Sequence, residues 1–252
     1  MSRPGPDAAA WVRERLRSDG HVHSTFSDGT SDPLENLRAA TAAGLTRSVM
    51  ADHVRADTDW LPRFVRAVDE LRSGTAVDVR IGVESKILDS AGTLDLPARL
   101  EGVELLLIAD HQVPTDGGPM GPATVRAELA AGRLEASGVI GTLVRAMMAA
   151  VSRADRPAVL VHPFSVLPKL GLAESDVPDE LLRALGVRCR ETGTSVEINE
   201  KWACPGIPVA RLLVACGADL VAGSDAHASE AVGRYRYVRD VLEAVVPGAT
   251  PA

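Results

Sequence analysis

Leu105-Leu-Leu-Ile-Ala109 is an unbroken apolar run, and Asp110 and His111 follow it at once. A run this short and this uniformly apolar reads as a strand buried on both faces, the kind that occurs in parallel sheets covered by helices. The same order, a short strand and then polar side chains, recurs along the chain. Ala158–Val161 precedes His162, Ser195–Ile198 precedes Asn199, and Leu220–Ala222 precedes Gly223-Ser-Asp-Ala-His227. Toward the N-terminus a short strand ends at His21–His23, another spans Arg47–Ala51 before His53, and a third spans Val79–Val83 before Glu84. Helical patterns fall between or after them at Ala8–Arg17, Pro33–Ala43, Trp60–Ser73, Asp179–Glu191, Val209–Cys216 and Gly233–Ala244. The second helix has its own punctuation: Asp32 as N-cap, Pro33 at the first helical position and Gly44 as the stop. Repeated strand-then-helix units imply an α/β fold with a parallel sheet and right-handed crossovers. Seven such units can close into a barrel, and an open doubly wound sheet is the competing architecture. One connection breaks the rhythm. Residues 112–150 open on a Gly/Pro cluster, Pro114 to Pro122, and then turn helical; they read either as a lid or as a plain surface insertion.

The composition narrows the class. The chain has 252 residues with 46% apolar content, enough for a sizeable core in a single domain over 1–252. The formal charge of −7 argues against general nucleic-acid binding, which needs a basic footprint. Three cysteines, Cys189, Cys204 and Cys216, form no CxxC pair, so neither a disulfide framework nor a Cys-rich zinc site is expected. Met1 to Ala10 holds one Arg and no apolar stretch of signal length, and no apolar run approaches membrane-spanning length. A cytoplasmic location without membrane contact is the resulting expectation.

The six histidines are His21, His23, His53, His111, His162 and His227. Each stands at or just after the C-terminal end of an expected strand, the edge where parallel α/β folds place their ligands. Any one of them alone reads as a satisfied, partly buried side chain. Six together would require the same coincidence six times, whereas one shared site accounts for all of them. In His21-Val-His23 alternate strand residues point to one side, so two imidazoles can face one ion. Carboxylates join them at strand ends: Asp28, Glu84 and Asp225. Imidazole and carboxylate together suit zinc, iron or manganese.

In order along the chain, His21-Val-His-Ser-Thr-Phe-Ser-Asp-Gly29, Asp52-His53, Gly82-Val-Glu84, Val161-His-Pro163 and Gly223-Ser-Asp-Ala-His227 resemble the successive motifs of the PHP (polymerase and histidinol phosphatase) family. Gly82 to Asp89, followed by Leu94-Asp-Leu96, is similar to the subgroup of stand-alone PHP phosphatases and the PHP domain of bacterial family X DNA polymerases. The resemblance covers about residues 20 to 235 and implies a distorted (β/α)7 barrel that binds two to three divalent ions (Zn, Mn or Fe) and hydrolyses phosphate esters. It implies a first metal on His21, His23, Glu84 and Asp225, a second on Asp28, His53 and His227, and a third on Glu84, His111 and His162, with Glu84 bridging. Asp110 is an extra carboxylate beside His111; it either orients the His111 imidazole or points away into a helix contact. Asp52, before His53, carries the same two readings.

The expected reaction is attack on a small phosphorylated metabolite, histidinol-phosphate-like, by a hydroxide that bound metal makes available at neutral pH. Asp225, His227, Arg55 and Lys201 form the expected catalytic group, with the two cations holding the phosphate; Lys86 and Arg234 are further candidates. Glu197 and Asn199 are expected to line the pocket. Cys204 is near the same edge, but no dedicated base accompanies it as a nucleophile. A phosphodiesterase or nuclease, a barrel hydrolase of a non-phosphate bond, and a non-catalytic metal-binding regulatory module are the alternatives.

Overall fold

The computed structural model describes residues 8–246. The reading of Met1 to Ala10 as lacking a signal falls mostly on residues outside that span, as do the two ends of the 1–252 unit. Among the described residues, no helix is long and apolar enough to cross a membrane.

Seven parallel strands form one sheet in the order β1 (Ser18–Val22), β2 (Arg47–His53), β3 (Asp78–Lys86), β4 (Leu105–Ala109), β7 (Ala158–Val161), β8 (Ser195–Asn199) and β9 (Leu220–Gly223). The open-sheet alternative is excluded by what joins its two edges. Val22 pairs with Ala226 just beyond β9, and the His23 amide donates to the Ala226 carbonyl at 2.8 Å. The sheet is therefore an almost closed α/β barrel of (β/α)7 type. The helices α1 (Ala8–Leu16), α2 (Pro33–Ala42), α3 (Leu61–Arg72), α7 (Asp179–Thr192), α8 (Ile207–Ala215) and α9 (Tyr237–Val245) surround it. At α2, Asp32 accepts from the Glu35 amide and Glu35 accepts from the Asp32 amide, a reciprocal cap that explains the sharp start.

Strand alternation divides the apolar residues into two sets. Met50, Ile81, Val83, Leu106, Ile108, Leu160, Val196 and Ile198 face the helices in the main core. Val49, Ala51, Leu107, Ala109, Val159 and Val161 face inward and fill the lumen. The lumen is tight: a Cβ on Gly82 would lie 2.9 Å from Leu107 Cδ1 and 3.0 Å from Val49 Cγ1. It is thus a packed core, and each fully buried Leu or Val in it contributes about 1.5–3 kcal/mol.

The connection at 112–150 resolves into two parts. Val113–Thr115 (β5) and Gly118–Met120 (β6) form an antiparallel hairpin, followed by α4 (Pro122–Ala130). The helix after it, α5 (Ala136–Arg153), buries Val139, Ile140, Leu143, Val144 and Met147 and is the crossover between β4 and β7. Within this connection the hairpin and α4 are the additions to the barrel plan; a further short helix, α6 (Leu167–Leu170), follows β7.

Asp19, fully buried, fastens the closing edge. Its carboxylate accepts from the Ser224 amide at 3.0 Å, the Gly233 amide at 2.9 Å and the His21 amide at 3.2 Å. Asp19→Ala would leave these donors without an acceptor in a place water does not reach. It is expected to lower the unfolding free energy by about 3 kcal/mol, read as a drop in urea midpoint with little change in slope.

Candidate metal centre

The inward rows of the lumen end in polar side chains at the C-terminal rim. Val49 and Ala51 are followed two residues on by His53, Gly82 by Glu84, and Leu107 and Ala109 by His111. The residue alternation that packs the lumen therefore also aims these groups at its mouth. His162 is an exception. Val161 faces the lumen, so its successor would face the helices; a left-handed backbone at His162, φ 32°, turns the imidazole back. The Glu197 carboxylate accepts from the His162 amide at 2.7 Å and holds that turn. Asp225 is likewise left-handed, φ 52°, and such non-glycine conformations persist where the surroundings fix them.

The structure brings all nine proposed ligand side chains into one contiguous cluster. Glu84, 1% exposed, is at its centre. One carboxylate oxygen lies 2.9 Å from His53 Nδ1, 3.2 Å from His23 Nε2 and 3.3 Å from His21 Nε2; the other lies 2.9 Å from His162 Nε2 and 3.1 Å from His111 Nε2. Asp225 Oδ1 is 3.5 Å from His23 Nε2 and 3.3 Å from His227 Nδ1. Asp28 lies 3.3 Å from His227 Nε2 and 3.5 Å from His53 Nε2.

Two features fit this donor set to cations. The Nε2 atoms of His21 and His23 face each other at 2.9 Å beside a carboxylate oxygen, and His23 Nδ1 is buried with no hydrogen-bond partner among the described residues. Four groupings have ligand atoms within 4.8 Å of one another: His23, Asp28, His53 and His227; His21, His23 and Glu84; His21, His162 and Asp225; and His53, Glu84 and His111. This partition differs from the one the resemblance implies. His23 also stands with Asp28, His53 and His227, and His53 also stands with Glu84 and His111.

The electrostatics follow from packing anions among imidazoles. Burial acts to raise the Glu84 carboxyl, but His21 and the hydrogen bonds from His111 and His162 outweigh it and hold the group well below the usual range. Asp225 is lowered for the same reason, burial being overcome chiefly by His21 and His23. Burial works against charge on His21, yet Glu197, Glu84 and Asp225 raise it well above its ordinary value. At His162, burial opposes protonation and the hydrogen bonds to Asp110 and Glu84 prevail, pushing it up to about 10. His227 moves the other way, lowered by burial and then by His23.

Several buried groups support the cluster without belonging to it. Glu197, expected only to line the pocket, accepts or shares a hydrogen bond with His21 Nδ1 at 3.0 Å and takes a second from Asn199 Nδ2 at 2.9 Å. Gly223 makes room for it: a Cβ there would lie 1.7 Å from Glu197 Oε1. Asp110 follows neither reading: it reaches the imidazole of His162, at 3.5 Å, rather than that of its neighbour His111, and Ser165 Oγ donates to it at 3.0 Å. Asp52 follows neither reading. It accepts from the amide and hydroxyl of Ser24 and from the amide and hydroxyl of Ser27, tethering the loop that carries Asp28.

The cations flank the cluster on different sides. Lys201 Nζ is 3.0 Å from His227 Nδ1 and 3.4 Å from Asp225 Oδ1. Arg55 lies in a pocket of about 620 Å3 that opens beside His53, Glu84 and His111, together with Lys86, Phe26 and Trp60. Lys86 is paired with Asp95 at 3.3 Å. Arg234 is exposed and away from this lining. Cys204 is buried, and burial followed by nearby carboxylates pushes its thiol well above its ordinary value, which opposes a nucleophilic role.

No family model and no curated protein sequence matches the chain. Solved structures do. Histidinol phosphate phosphatase HisK from Lactococcus lactis subsp. lactis Il1403, solved with zinc, L-histidinol and phosphate, superposes with a TM-score of 0.61 at 15% identity, over 88% of this chain and 89% of that one. A protein assigned as the histidinol phosphatase hisK of Listeria monocytogenes gives 0.56 at 16% identity, over 86% and 97%. The chain shares the fold of these proteins. At such identities the likeness concerns the barrel, and the chemistry has to be argued from the cluster.

Glu197→Ala is expected to weaken divalent-metal binding about 10- to 100-fold, the usual cost of losing the carboxylate behind a ligand histidine. Gly223→Ala should reproduce the loss by displacing Glu197. Competition titration against a chromophoric chelator measures both, with far-UV circular dichroism checking that the barrel persists.

Proposed function

We propose that this barrel is a metal-dependent phosphoesterase, most simply a monoesterase acting on a small phosphorylated metabolite of about the size of histidinol phosphate, and a member of the PHP family. The observation that carries the reading is the convergence of six imidazoles and three carboxylates on the rim of one barrel, in overlapping groups close enough to hold neighbouring cations. The described neighbour that binds zinc, L-histidinol and phosphate is consistent with it.

His21, His23, Asp28, His53, Glu84, His111, His162, Asp225 and His227 would hold two to three divalent ions, zinc, manganese or iron. Such ions supply Lewis acidity, which makes water nucleophilic at neutral pH and neutralises phosphoryl oxygens. The protein groups do the positioning. Glu84 and Asp225, held ionised by their histidines, offer anionic oxygens to a cation. Lys201, whose ammonium lies beside His227 and Asp225, would receive a phosphoryl oxygen. Arg55, in the pocket beside His53 and His111, would receive a group further along the substrate. The apolar lumen below the cluster, walled by Ala51, Ala109 and Val161, keeps bulk water out from beneath. The chain would work as one barrel domain, with the β5–β6 hairpin and α4 as its movable part.

Protein purified with added manganese or zinc is expected to carry two to three metal equivalents and to release phosphate from aryl phosphates. Exhaustive chelation should abolish turnover, and so should His53→Ala or Glu84→Ala, by at least about a thousandfold. Bis-aryl phosphate and single-stranded DNA should remain intact. Cleavage of either would move the assignment to a diesterase, and full activity after chelation would remove the metal reading altogether.

A further inference from the structure

Beside the cluster, the 620 Å3 pocket has a composition of its own. Three of the chain's eight aromatic residues meet there: Phe26 with Trp60 at 5.7 Å between ring centroids, Phe26 with Phe64 at 5.4 Å, and Trp60 with Phe64 at 5.9 Å. Phe64 is fully buried and serves as the backing, while Phe26 and Trp60 are half-buried and line the pocket. Two partly exposed rings on a buried support form a rigid apolar wall.

The charges lining the pocket are asymmetric. Its two carboxylates are Asp28 and Glu84, both engaged with histidines of the cluster. Its two cations are Lys86, paired with Asp95, and Arg55. Among the described residues the Arg55 side chain has no ion pair or hydrogen bond; its backbone is tied to Thr58, the amide donating to Thr58 Oγ1 and the carbonyl accepting from the Thr58 amide. Asp57 and Asp59, exposed on the same loop, lie outside the lining. A ligand entering here meets an apolar wall and one unpaired guanidinium, and no carboxylate is left over for an ammonium group.

We infer that the alcohol part of the substrate is an apolar or aromatic group bearing a negative charge, seated against Phe26 and Trp60 with its anion on Arg55. The inference rests on the phosphoesterase reading for the position of the scissile phosphate and narrows it: a cationic amino alcohol such as histidinol finds no counter-charge here. Arg55 is then a specificity-determining residue, separate from the phosphoryl-holding Lys201.

The test compares 4-carboxyphenyl phosphate with 4-(aminomethyl)phenyl phosphate on the metal-loaded protein. The carboxylate is expected to be preferred about tenfold in kcat/KM, the scale of exchanging an ion pair for a like-charge contact. Arg55→Glu should invert the ratio, and because a ratio is read, a general loss of activity does not obscure it. A preference for the ammonium substrate, or a ratio unmoved by Arg55→Glu, overturns the inference. A second readout needs no turnover. 4-Hydroxybenzoate should quench tryptophan fluorescence and 4-hydroxybenzylamine should not, with the quench lost in Trp60→Phe and weakened in Arg55→Glu. If 4-hydroxybenzoate binds in this way while no aryl phosphate is hydrolysed, the phosphoesterase reading fails and the anionic subsite stands. If aryl phosphates are hydrolysed with no charge preference and 4-hydroxybenzoate does not bind, the subsite fails and the phosphoesterase stands.

Discussion

One buried carboxylate organises the upper half of this barrel. Glu84 lies within 3.3 Å of ring nitrogens from His21, His23, His53, His111 and His162, which come from four other strands. An isolated carboxylate at 1% exposure would cost several kcal/mol to bury. It is tolerable only because cationic groups surround it, whether protonated imidazoles or metal ions. The converse also holds. Imidazoles crowded this closely would repel one another once protonated, and Glu84 is what lets them approach.

Most of the remaining buried acids of the barrel divide by what satisfies them; Asp110, with one oxygen buried and without a hydrogen-bond partner among the described residues, stands apart. Asp19 is occupied by three backbone amides, Asp52 by the amides and hydroxyls of Ser24 and Ser27, and Glu197 by the His162 amide, Asn199 and His21. Their oxygens are already used within the fold, and they shape it. Glu84 and Asp225 face imidazoles, with Asn199 and Lys201 only at 3.4 Å from Asp225. No backbone amide claims them, so they retain capacity for a cation. The same chemical group thus serves as scaffold or as candidate ligand according to whether the chain has already filled its lone pairs.

The strands β4 and β7 were the most legible because they are buried on both faces, which leaves Leu105–Ala109 and Ala158–Val161 with no polar interruption; β1, Ser-Asp-Gly-His-Val, carries no such run. His53, Glu84 and His111 were legible for a related reason: a polar residue at the end of a strand stands at the rim of the barrel, and strand period places these three on the lumen side, whereas Asp28, His162, Asp225 and His227 reach the cluster through loops or a left-handed turn. Contacts across the lumen were not legible. Nothing in the spacing of Asp110 says that it reaches His162 on the next strand instead of adjacent His111. The left-handed turn at His162 could not be read either, since no glycine marks it. Glu197 was visible as a strand-end acid, but its access to His21 depends on the missing side chain of Gly223 on the neighbouring strand. The boundary inside 112–150 was blurred because α4 and α5 are both helical, and only the packing of α5 against β4, β7 and α7 shows which of the two belongs to the barrel.

The placement of small residues links packing to the site. Gly82, Ala51, Ala109 and Gly223 stand one step below the polar ring, on the inward side of their strands. Larger side chains there would collide across a lumen already filled by Val49, Leu107 and Val159, or would displace the carboxylate of Glu197. With them small, the barrel stays narrow enough to bring strands on opposite sides within reach of one carboxylate, yet leaves volume above for five-membered rings. A wider barrel would hold the same histidines too far apart to share Glu84, and a barrel with bulkier inward residues would push them out toward solvent. The convergence at the rim is therefore a consequence of the diameter of the apolar lumen, and substitutions deep in the barrel should be felt at the cluster before they are felt in the helices outside.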